Sequence, residues 1–222
     1  MLLLALEDSD RRLQDRIRTL ISGEPIPSRL DCMTRIQQGL VVPTIEAWLE
    51  TLPRNWAPFV ILDTFGKVMP EAHPGESAYQ RDYRVAGRLK IICDDHPGMT
   101  LAGLHHDREA NSDDFVDTVS GTNGIAGAAD TIMLIARPRN ESQGLLKVTG
   151  RDVEEAEYAI KITNGGWSLV GDSLAAAARQ ARTIHATANL GDLSAEVLIF
   201  VTLHPDGVRA ADVATTNREP RA

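Results

Sequence analysis

Three short apolar runs, each closed by a polar side chain, constrain the fold of this chain most strongly. They are LLLAL before Glu7, FVIL before Asp63 and MTLAGL before His105. Continuous apolar runs of this length are typical of strands that are buried on both faces, as in a parallel sheet. Segments with helical periodicity lie between them. The sequence therefore predicts an α/β fold with a mostly parallel sheet flanked by helices.

The helical segments have recognisable ends. Ser9 is placed to cap a helix over Asp10–Ser22, whose apolar side chains recur on one face as Leu13, Ile17, Leu20 and Ile21. A second helix is predicted over Pro43–Leu52, with its proline in the first turn, and a long third helix over Ser77–Asp95. A short strand is predicted over Leu30–Met33.

The second half of the chain is predicted to begin with another apolar strand, Thr131–Ala136. Leu145–Thr149 and Tyr158–Ile162 then suggest a closing antiparallel pair. Helices are predicted further on, over Ser173–Ala188, Ala195–Leu203 and Val208–Ala214. We expect one domain over 1–172 and a helical appendage over 173–222.

Composition excludes some classes of protein. The 222 residues carry a formal charge of −8 and a pI of about 5.2, which argues against a protein that coats nucleic acid through bulk charge. Cys32 and Cys93 are far apart and are predicted to be reduced thiols. The apolar start, Leu2–Leu6, is too short for a signal peptide or a membrane span. We therefore expect a cytoplasmic protein without a membrane anchor.

The polar residues that close the three runs suggest one chemistry. Strands of a parallel sheet share a carboxyl edge, and ligands bind there, so Glu7, Asp63 and His105 are expected on one rim. One acid for magnesium, a second acid to polarise water and a histidine to sense a phosphate suit nucleotide hydrolysis. The alternative is that these residues merely cap their strands.

The order of the motifs resembles a known family. LALEDSDRRLQDRI, VILDTF, LAGLHH, SGTNGIAGAADTIMLIAR and VTGRDVEEAEYAIKI follow one another as in RecA-like AAA ATPases. The nearest type is the RepA-like hexameric helicase group, and the resemblance covers Met1 to Trp167. It implies a RecA-like P-loop NTPase core, ATP and Mg²⁺ as ligands, single-stranded DNA as a partner and a role in DNA replication or recombination.

The resemblance also implies a role for individual residues. Glu7 matches the catalytic glutamate that activates water. Asp63, with Thr64 beside it, matches the Walker B aspartate that holds magnesium through water. His105 or His106 matches the polar sensor of the γ-phosphate. A metal site built from His105 and His106 is disfavoured, because adjacent residues of a strand point to opposite faces.

Further expectations concern neighbouring subunits and DNA. Arg151 matches the arginine that reaches the nucleotide of a neighbouring subunit, where a guanidinium stabilises charge on the transferred phosphoryl group. Its alternative is a surface arginine paired with Asp152 or Glu154. The loops Gly66–Glu76 and Asp107–Thr122 would face a channel for single-stranded DNA. LSAEVLIFVTLHPDGVRAADVA resembles the first two helices of a winged helix-turn-helix, so the appendage is expected to be a linker and a partial module of that kind.

One element of the family is missing from the printed sequence. The phosphate loop GxxxxGK[ST] does not occur; Lys67 follows a glycine, but Val68 comes next and no glycine stands five residues earlier. In the family, this loop and the first strand precede the strand that contains LALED. Because its amides and lysine hold the β- and γ-phosphates, we expect this chain alone to hydrolyse ATP weakly or not at all.

Two other functional classes stay open. One is a non-catalytic assembly or partner-binding protein, either a homo-oligomer or a subunit beside another ATPase, that retains the fold. The other is a metal-dependent hydrolase that uses Asp63 and the histidines. An unpaired sheet edge and exposed apolar surface lead us to expect association with itself or a partner.

Overall fold

A computed structural model describes residues 1–106, 124–187, 192–204 and 206–209. The chain divides into two compact units. The first comprises Met1–Ile132 with Gly150–Val153, and the second Met133–Thr149 with Glu154–Ala222. Among the helices of the described part, none is long and apolar enough to cross a membrane.

The first unit contains a four-stranded parallel sheet. Its strands are β1 (Leu2–Ala5), β2 (Asp31–Met33), β3 (Phe59–Asp63) and β4 (Thr100–Leu104), in the order β2-β1-β3-β4. Among its described residues, the helices are α1 (Asp10–Ile21), α2 (Val41–Glu50) and α3 (Ala78–Asp95). The predicted α/β class and the predicted parallel sheet with flanking helices are confirmed.

The direction of each crossover decides where the helices lie. Connections between parallel strands are right-handed in nearly all proteins, so a connection that runs one way along the sheet covers one face, and one that runs back covers the other. The chain moves from β1 to β2 in one direction, and from β2 to β3 and then β4 in the other. In agreement, side chains of α2 and α3 share one buried cluster with one face of the sheet. That cluster includes Leu2, Leu4, Val60, Leu62, Ile45, Trp48, Leu89 and Ile92.

Helix caps agree with the sequence. Ser9 accepts a hydrogen bond from the backbone N–H of Arg12 at the start of α1. Ser77 and Gln80 form a capping box at the start of α3. Helix α2 begins at Val41, two residues before the predicted start, and still holds Pro43 in its first turn.

The prediction that Leu20 faces inward from α1 is wrong. Leu13 is buried, but Leu20 is 53 % exposed. The edge strand β2 has three residues, and no further strand pairs with it in the described ranges. The later turns of α1 therefore have little sheet to cover them. A surface cleft lies along the earlier turns of α1, lined by Asp10, Leu13, Gln14, Ile17, Ile26, Cys32 and Thr34.

The described residues of the second unit form another sheet and two helices. Strands β5 (Thr131–Ala136), β6 (Gln143–Gly150), β7 (Ala156–Thr163) and β8 (Gly166–Leu169) are neighbours in that order. Strands β6, β7 and β8 pair antiparallel, as predicted for β6 and β7. Strand β5, which begins within the first unit, pairs in this sheet. Helix α4 (Leu174–Thr187) packs on β7 through the fully buried Ala177, Ala181 and Ala159, and α5 (Asp192–Thr202) follows.

Strand β8 is absent from the sequence-based prediction, although its signal is present in the sequence. Asn164 and Gly165 connect β7 to β8 with positive φ angles of 51° and 81°. Two successive residues with positive φ form the type I′ turn, for which Asn-Gly is the favoured sequence. The Asn-Gly pair is therefore a local signal from which this hairpin could have been predicted.

Several predictions concern residues that the structure does not describe. The loop Asp107–Thr122 lies outside the described residues, as does most of the helix expected over Val208–Ala214, of which 208 and 209 are described and are not helical. The division at residue 172 and the partial winged module stay predictions.

Replacement of Gly103 by alanine is expected to destabilise the first unit. A Cβ atom at this position of β4 would lie 1.8 Å from Cε2 of Phe65, which is a buried core side chain. The Phe65 ring must move, at a cost of about 1–3 kcal/mol in the free energy of unfolding. Chemical denaturation of Gly103→Ala measures this loss.

The matched control is Gly87→Ala in α3, where a Cβ atom would meet nothing within 4 Å. Alanine is the better helix former, so this variant should be as stable as the parent or slightly more stable. Equal stability of the two variants would contradict the packing argument.

Candidate functional site

The carboxyl ends of β1, β3 and β4 meet at one edge of the parallel sheet. Ala5 is the register partner of Asp63, and Asp63 is the partner of Leu104. The backbone N–H of Leu6 donates to the carbonyl oxygen of Asp63 at 2.7 Å, which extends the ladder past the end of β1. Residues that directly follow the three strands are thereby brought side by side.

The carboxylate of Glu7 is held from two sides. Thr64 Oγ1 donates to Glu7 Oε1 at 2.9 Å, and His106 Nε2 lies 3.1 Å from Glu7 Oε2. A carboxylate can only accept, so Nε2 of His106 carries the proton of this hydrogen bond. Because Thr64 is only 3 % exposed, its contact is a fixed support, whereas the imidazole is mostly in solvent.

These partners shift the charge state of the edge. The hydrogen bonds from His106 and then Thr64 hold the pKa of Glu7 below its usual range, and Lys67 acts in the same direction. Burial, followed by the negative charge of Glu7, raises the pKa of Asp63. The two neighbouring carboxyl groups are therefore shifted in opposite directions: Glu7 ionises more readily than an ordinary glutamate, and Asp63 less readily than an ordinary aspartate.

An ion pair beside the edge is a further part of the site, which the sequence-based prediction missed. The side chain of Asp8 is 4 % exposed, and its Oδ2 lies 2.8 Å from Nη1 of Arg16, with Arg12 Nε 3.6 Å from Oδ1. The positive charge of Arg16 also lowers the pKa of Asp63, against the larger effects that raise it. Arg12 and Arg16 are four residues apart on one face of α1, and Asp8 lies just before the cap of that helix; this spacing is a sequence signal that could have found the cluster.

The residues after Asp63 are fixed by the core. The Asp63–Thr64 peptide is cis, and Phe65–Lys67 form one short 3-10 turn. Phe65 is buried against Gly103 of the neighbouring strand, and Val68 is buried in the same cluster. This packing anchors the segment on which Thr64 and Lys67 are carried.

The donors at this edge suit a hard cation held through water. Carboxylate and hydroxyl oxygens are the ligands that Mg²⁺ takes, commonly with several waters retained. Burial of Asp63 beside the negative charges of Glu7 and Asp8 favours a cation at this point. Within the described ranges, no group of three or more His, Cys, Asp or Glu side chains is placed to hold a metal directly. The residues therefore fit Mg²⁺ bound largely through its water shell.

The two histidines differ in their surroundings. His106 contacts Glu7, whereas His105 is exposed and makes no hydrogen bond or ion pair to any described residue. The sequence left open which of the two would lie at the site. The geometry favours His106.

Arg151 lies in a different cluster of the first unit. Its Nη2 donates to the carbonyl oxygen of Gly127 at 3.0 Å, and its Nη1 is 3.6 Å from Oδ1 of Asp130. It therefore pairs with neither Asp152 nor Glu154. No contact joins it to Glu7 or Asp63 within the described part of the chain, and its side chain is 58 % exposed.

Comparison with known proteins supports the fold. No protein-family model matches the chain, and no curated protein matches its sequence. Among solved structures, the RadB recombinase is similar, with a TM-score of 0.53 and 14 % sequence identity over 77 % of this chain and 78 % of that chain. At this identity the likeness concerns the fold alone. The RecA-like fold expected from the motifs is confirmed.

Removal of the Thr64 hydroxyl is expected to raise the pKa of Glu7. Thr64→Val keeps the shape of the buried side chain but removes the donor to Glu7 Oε1, so the ionised carboxylate loses one stabilising hydrogen bond. Carboxyl ¹³C NMR titration should show Glu7 protonating at a higher pH than in the parent. Thr64→Ser, which keeps the hydroxyl, is the control and should titrate like the parent; an unchanged Glu7 titration in Thr64→Val would count against the contact.

Removal of the Glu7 charge is expected to lower the pKa of Asp63. Glu7→Gln removes the second-largest cause of the raised value but leaves burial, the largest, so the shift should be partial. The same NMR titration follows Asp63. Asp15→Asn, a change at an exposed carboxylate that pairs with Arg18, is the control and should leave Asp63 unaffected.

Proposed function

We propose that this chain is a RecA-like ATPase subunit of DNA replication or recombination, in which the edge formed by Glu7, Asp63, Thr64 and His106 is the catalytic side of a magnesium-ATP site. The observation that carries the proposal is the Glu7 carboxylate, held by Thr64 and His106 directly beside Asp63. The RecA-like fold, in which β1, β3 and β4 present these residues at one edge, supports it.

In the proposed reaction, Glu7 acts on the attacking water. Its lowered pKa keeps it ionised at neutral pH, so a carboxylate oxygen can accept a proton as the water oxygen bonds to the γ-phosphorus. The bond from the γ-phosphorus to the bridging oxygen breaks, and ADP leaves with that oxygen. Thr64 holds the carboxylate in place, because a base must lie within hydrogen-bond reach of the proton that it takes.

The other residues of the edge have distinct proposed roles. Asp63 would hold the water shell of Mg²⁺, which supplies neutralisation of phosphate charge when it is bound. His106 bridges between Glu7 and solvent, where it can register whether a γ-phosphate is present. The ion pair of Asp8 with Arg16 fixes the start of α1 beside these groups.

The proposed partners are those of the protein families that the chain resembles. Single-stranded DNA and a homo-oligomer or mixed ATPase ring follow from the helicase resemblance, and a RadB-like recombination role is the other branch. Because the printed sequence has no GxxxxGK[ST], we propose that turnover by this chain alone is weak.

A second candidate function is favoured by the position of Arg151. Its guanidinium is exposed and makes no contact with the Glu7 edge in the described part of the chain. A partner-binding subunit that lends Arg151 to the nucleotide of a neighbouring ATPase would use it without catalysing hydrolysis itself.

The proposal predicts magnesium-dependent effects at the edge. Titration with Mg²⁺, first alone and then with ATP, should shift the NMR signals of Asp63 and Glu7, and Asp63→Asn should weaken both effects. Glu46→Gln is the matched control, because Glu46 pairs with Arg88 on the surface. Shifts that persist in Asp63→Asn would contradict the assignment of the site.

Turnover tests the catalytic step. ATP hydrolysis by the purified chain should be slow, with or without single-stranded DNA. Whatever turnover exists should fall by roughly 10²–10⁴-fold in Glu7→Gln, which is the typical contribution of a general base. Fast hydrolysis by the chain would contradict weak activity, and hydrolysis that is insensitive to Glu7→Gln would contradict the role of Glu7.

A further inference from the structure

Arg151 contacts one short segment of the first unit, residues 124–130, through both its backbone and its side chain. Its backbone N–H donates to the carbonyl oxygen of Asp130 at 2.9 Å. Its guanidinium meets the carbonyl oxygen of Gly127 and the carboxylate of Asp130. Contacts of both kinds restrict the position of Cα and the direction of the side chain together.

Gly150 permits this close approach. A Cβ atom at Gly150 would lie 2.4 Å from the carbonyl oxygen of Asp130 and 3.0 Å from Cα of Thr131, both backbone atoms. A larger residue would therefore push the backbone before Arg151 away from Asp130. The glycine is needed here for proximity, and its role differs from that of a turn residue.

The segment that holds Arg151 is itself attached to α3 at two points. At its start, Gly124 lies so close to α3 that a Cβ atom there would be 2.7 Å from the carbonyl oxygen of Tyr79. At its end, Asp130 accepts hydrogen bonds from Lys90 Nζ at 2.8 and 2.9 Å. The position of Arg151 is thus fixed relative to the long helix α3.

The charges around Asp130 are arranged asymmetrically. Lys90 contacts both carboxylate oxygens of Asp130, whereas Arg151 approaches one of them at 3.6 Å. Lys90 therefore keeps Asp130 ionised, and its hydrogen bond lowers the pKa of that carboxyl group. Arg151 is oriented without being fully neutralised, which leaves guanidinium N–H groups for an incoming anion.

Stability alone does not account for this pair. Ion pairs between exposed side chains contribute little to folding, and both Asp130 and Arg151 are more than half exposed. The contact between Asp130 and Arg151 can orient the guanidinium even if it contributes little to stability. A guanidinium that is already directed loses less side-chain entropy when it meets a phosphate.

We propose that Asp130 is a positioning residue for Arg151, and that Lys90 holds Asp130 in place for this purpose. The inference rests on the proposed function in one respect only, which is the identity of the anion that Arg151 meets: a nucleotide phosphate of a neighbouring subunit. The orientation of the guanidinium is a property of the chain alone and can be tested without nucleotide.

The test follows rotation of the Arg151 guanidinium by ¹⁵N NMR, with its signal assigned by its loss in Arg151→Lys. Asp130→Asn should increase the rate of rotation by roughly two- to fivefold, the range that the energy of an exposed ion pair allows. Asp130→Glu, which restores the charge, should return the rate toward that of the parent.

Asp94→Asn is the matched control. Asp94 also approaches Lys90, at 3.6 Å, but has no contact with Arg151. It should leave the rotation unchanged, and backbone amide spectra of β1 and β3 report whether each variant is folded.

If Asp130→Asn does not fold, the dependence of the rotation rate on salt provides the second measurement. Raising NaCl from about 0.1 to about 1 M shortens the screening length from about 10 to about 3 Å and should speed rotation in the parent.

Two results would overturn the proposal: a rotation rate in folded Asp130→Asn equal to that of the parent, or an equal increase in Asp94→Asn. If Asp130→Asn does not fold, a rotation rate in the parent that does not change with salt overturns the proposal. Turnover separates this proposal from the proposed function. If Asp130→Asn frees the guanidinium but Arg151→Ala leaves ATP turnover of the purified chain unchanged, with or without single-stranded DNA, positioning by Asp130 stands and the proposed use of Arg151 between copies of this chain fails.

Discussion

The first unit depends on the parallel register of β1, β3 and β4. Because Ala5 pairs with Asp63, and Asp63 with Leu104, three chain segments leave the sheet at the same height. The hydrogen bond from Thr64 to Glu7 then links the segment that follows β3 to the segment that follows β1. A shift of one residue in the pairing of β1 with β3 would turn every side chain of the shifted strand to the opposite face and separate the donor from its acceptor. Core packing and site geometry are therefore set by the same pairing.

The parts of the structure that follow from local pattern could be predicted from the sequence. The strands before Glu7 and Asp63 and the cap at Ser9 are read from apolar runs and nearby polar residues. Their meeting at one edge follows from parallel strand order. The exposure of Leu20 could not be predicted in this way, because it depends on how far the sheet extends beneath α1. Periodicity identifies an apolar face but not the area available to cover it.

Contacts between residues distant in sequence were the hardest to foresee. The sequence placed Thr64 beside a magnesium site, and the structure adds that its hydroxyl supports Glu7. It suggested Asp152 or Glu154 as partners of Arg151, whereas the partner is Asp130, twenty-one positions earlier. Charge along the chain favours near neighbours, but the packing of Gly150 against the Asp130 backbone decides the pairing. Such choices require knowledge of which backbones can touch.

The alanines of α4 have a consequence for the second unit. Ala177 and Ala181 are buried against β7, where Ala159 is also buried. Burial of alanine fixes no side-chain rotamer, whereas burial of long or branched side chains loses rotational freedom on folding. Helix α4 therefore docks with a small entropic penalty and a correspondingly small apolar gain. Separation of α4 from β7 would therefore expose little apolar area at these three positions and would change the heat capacity little.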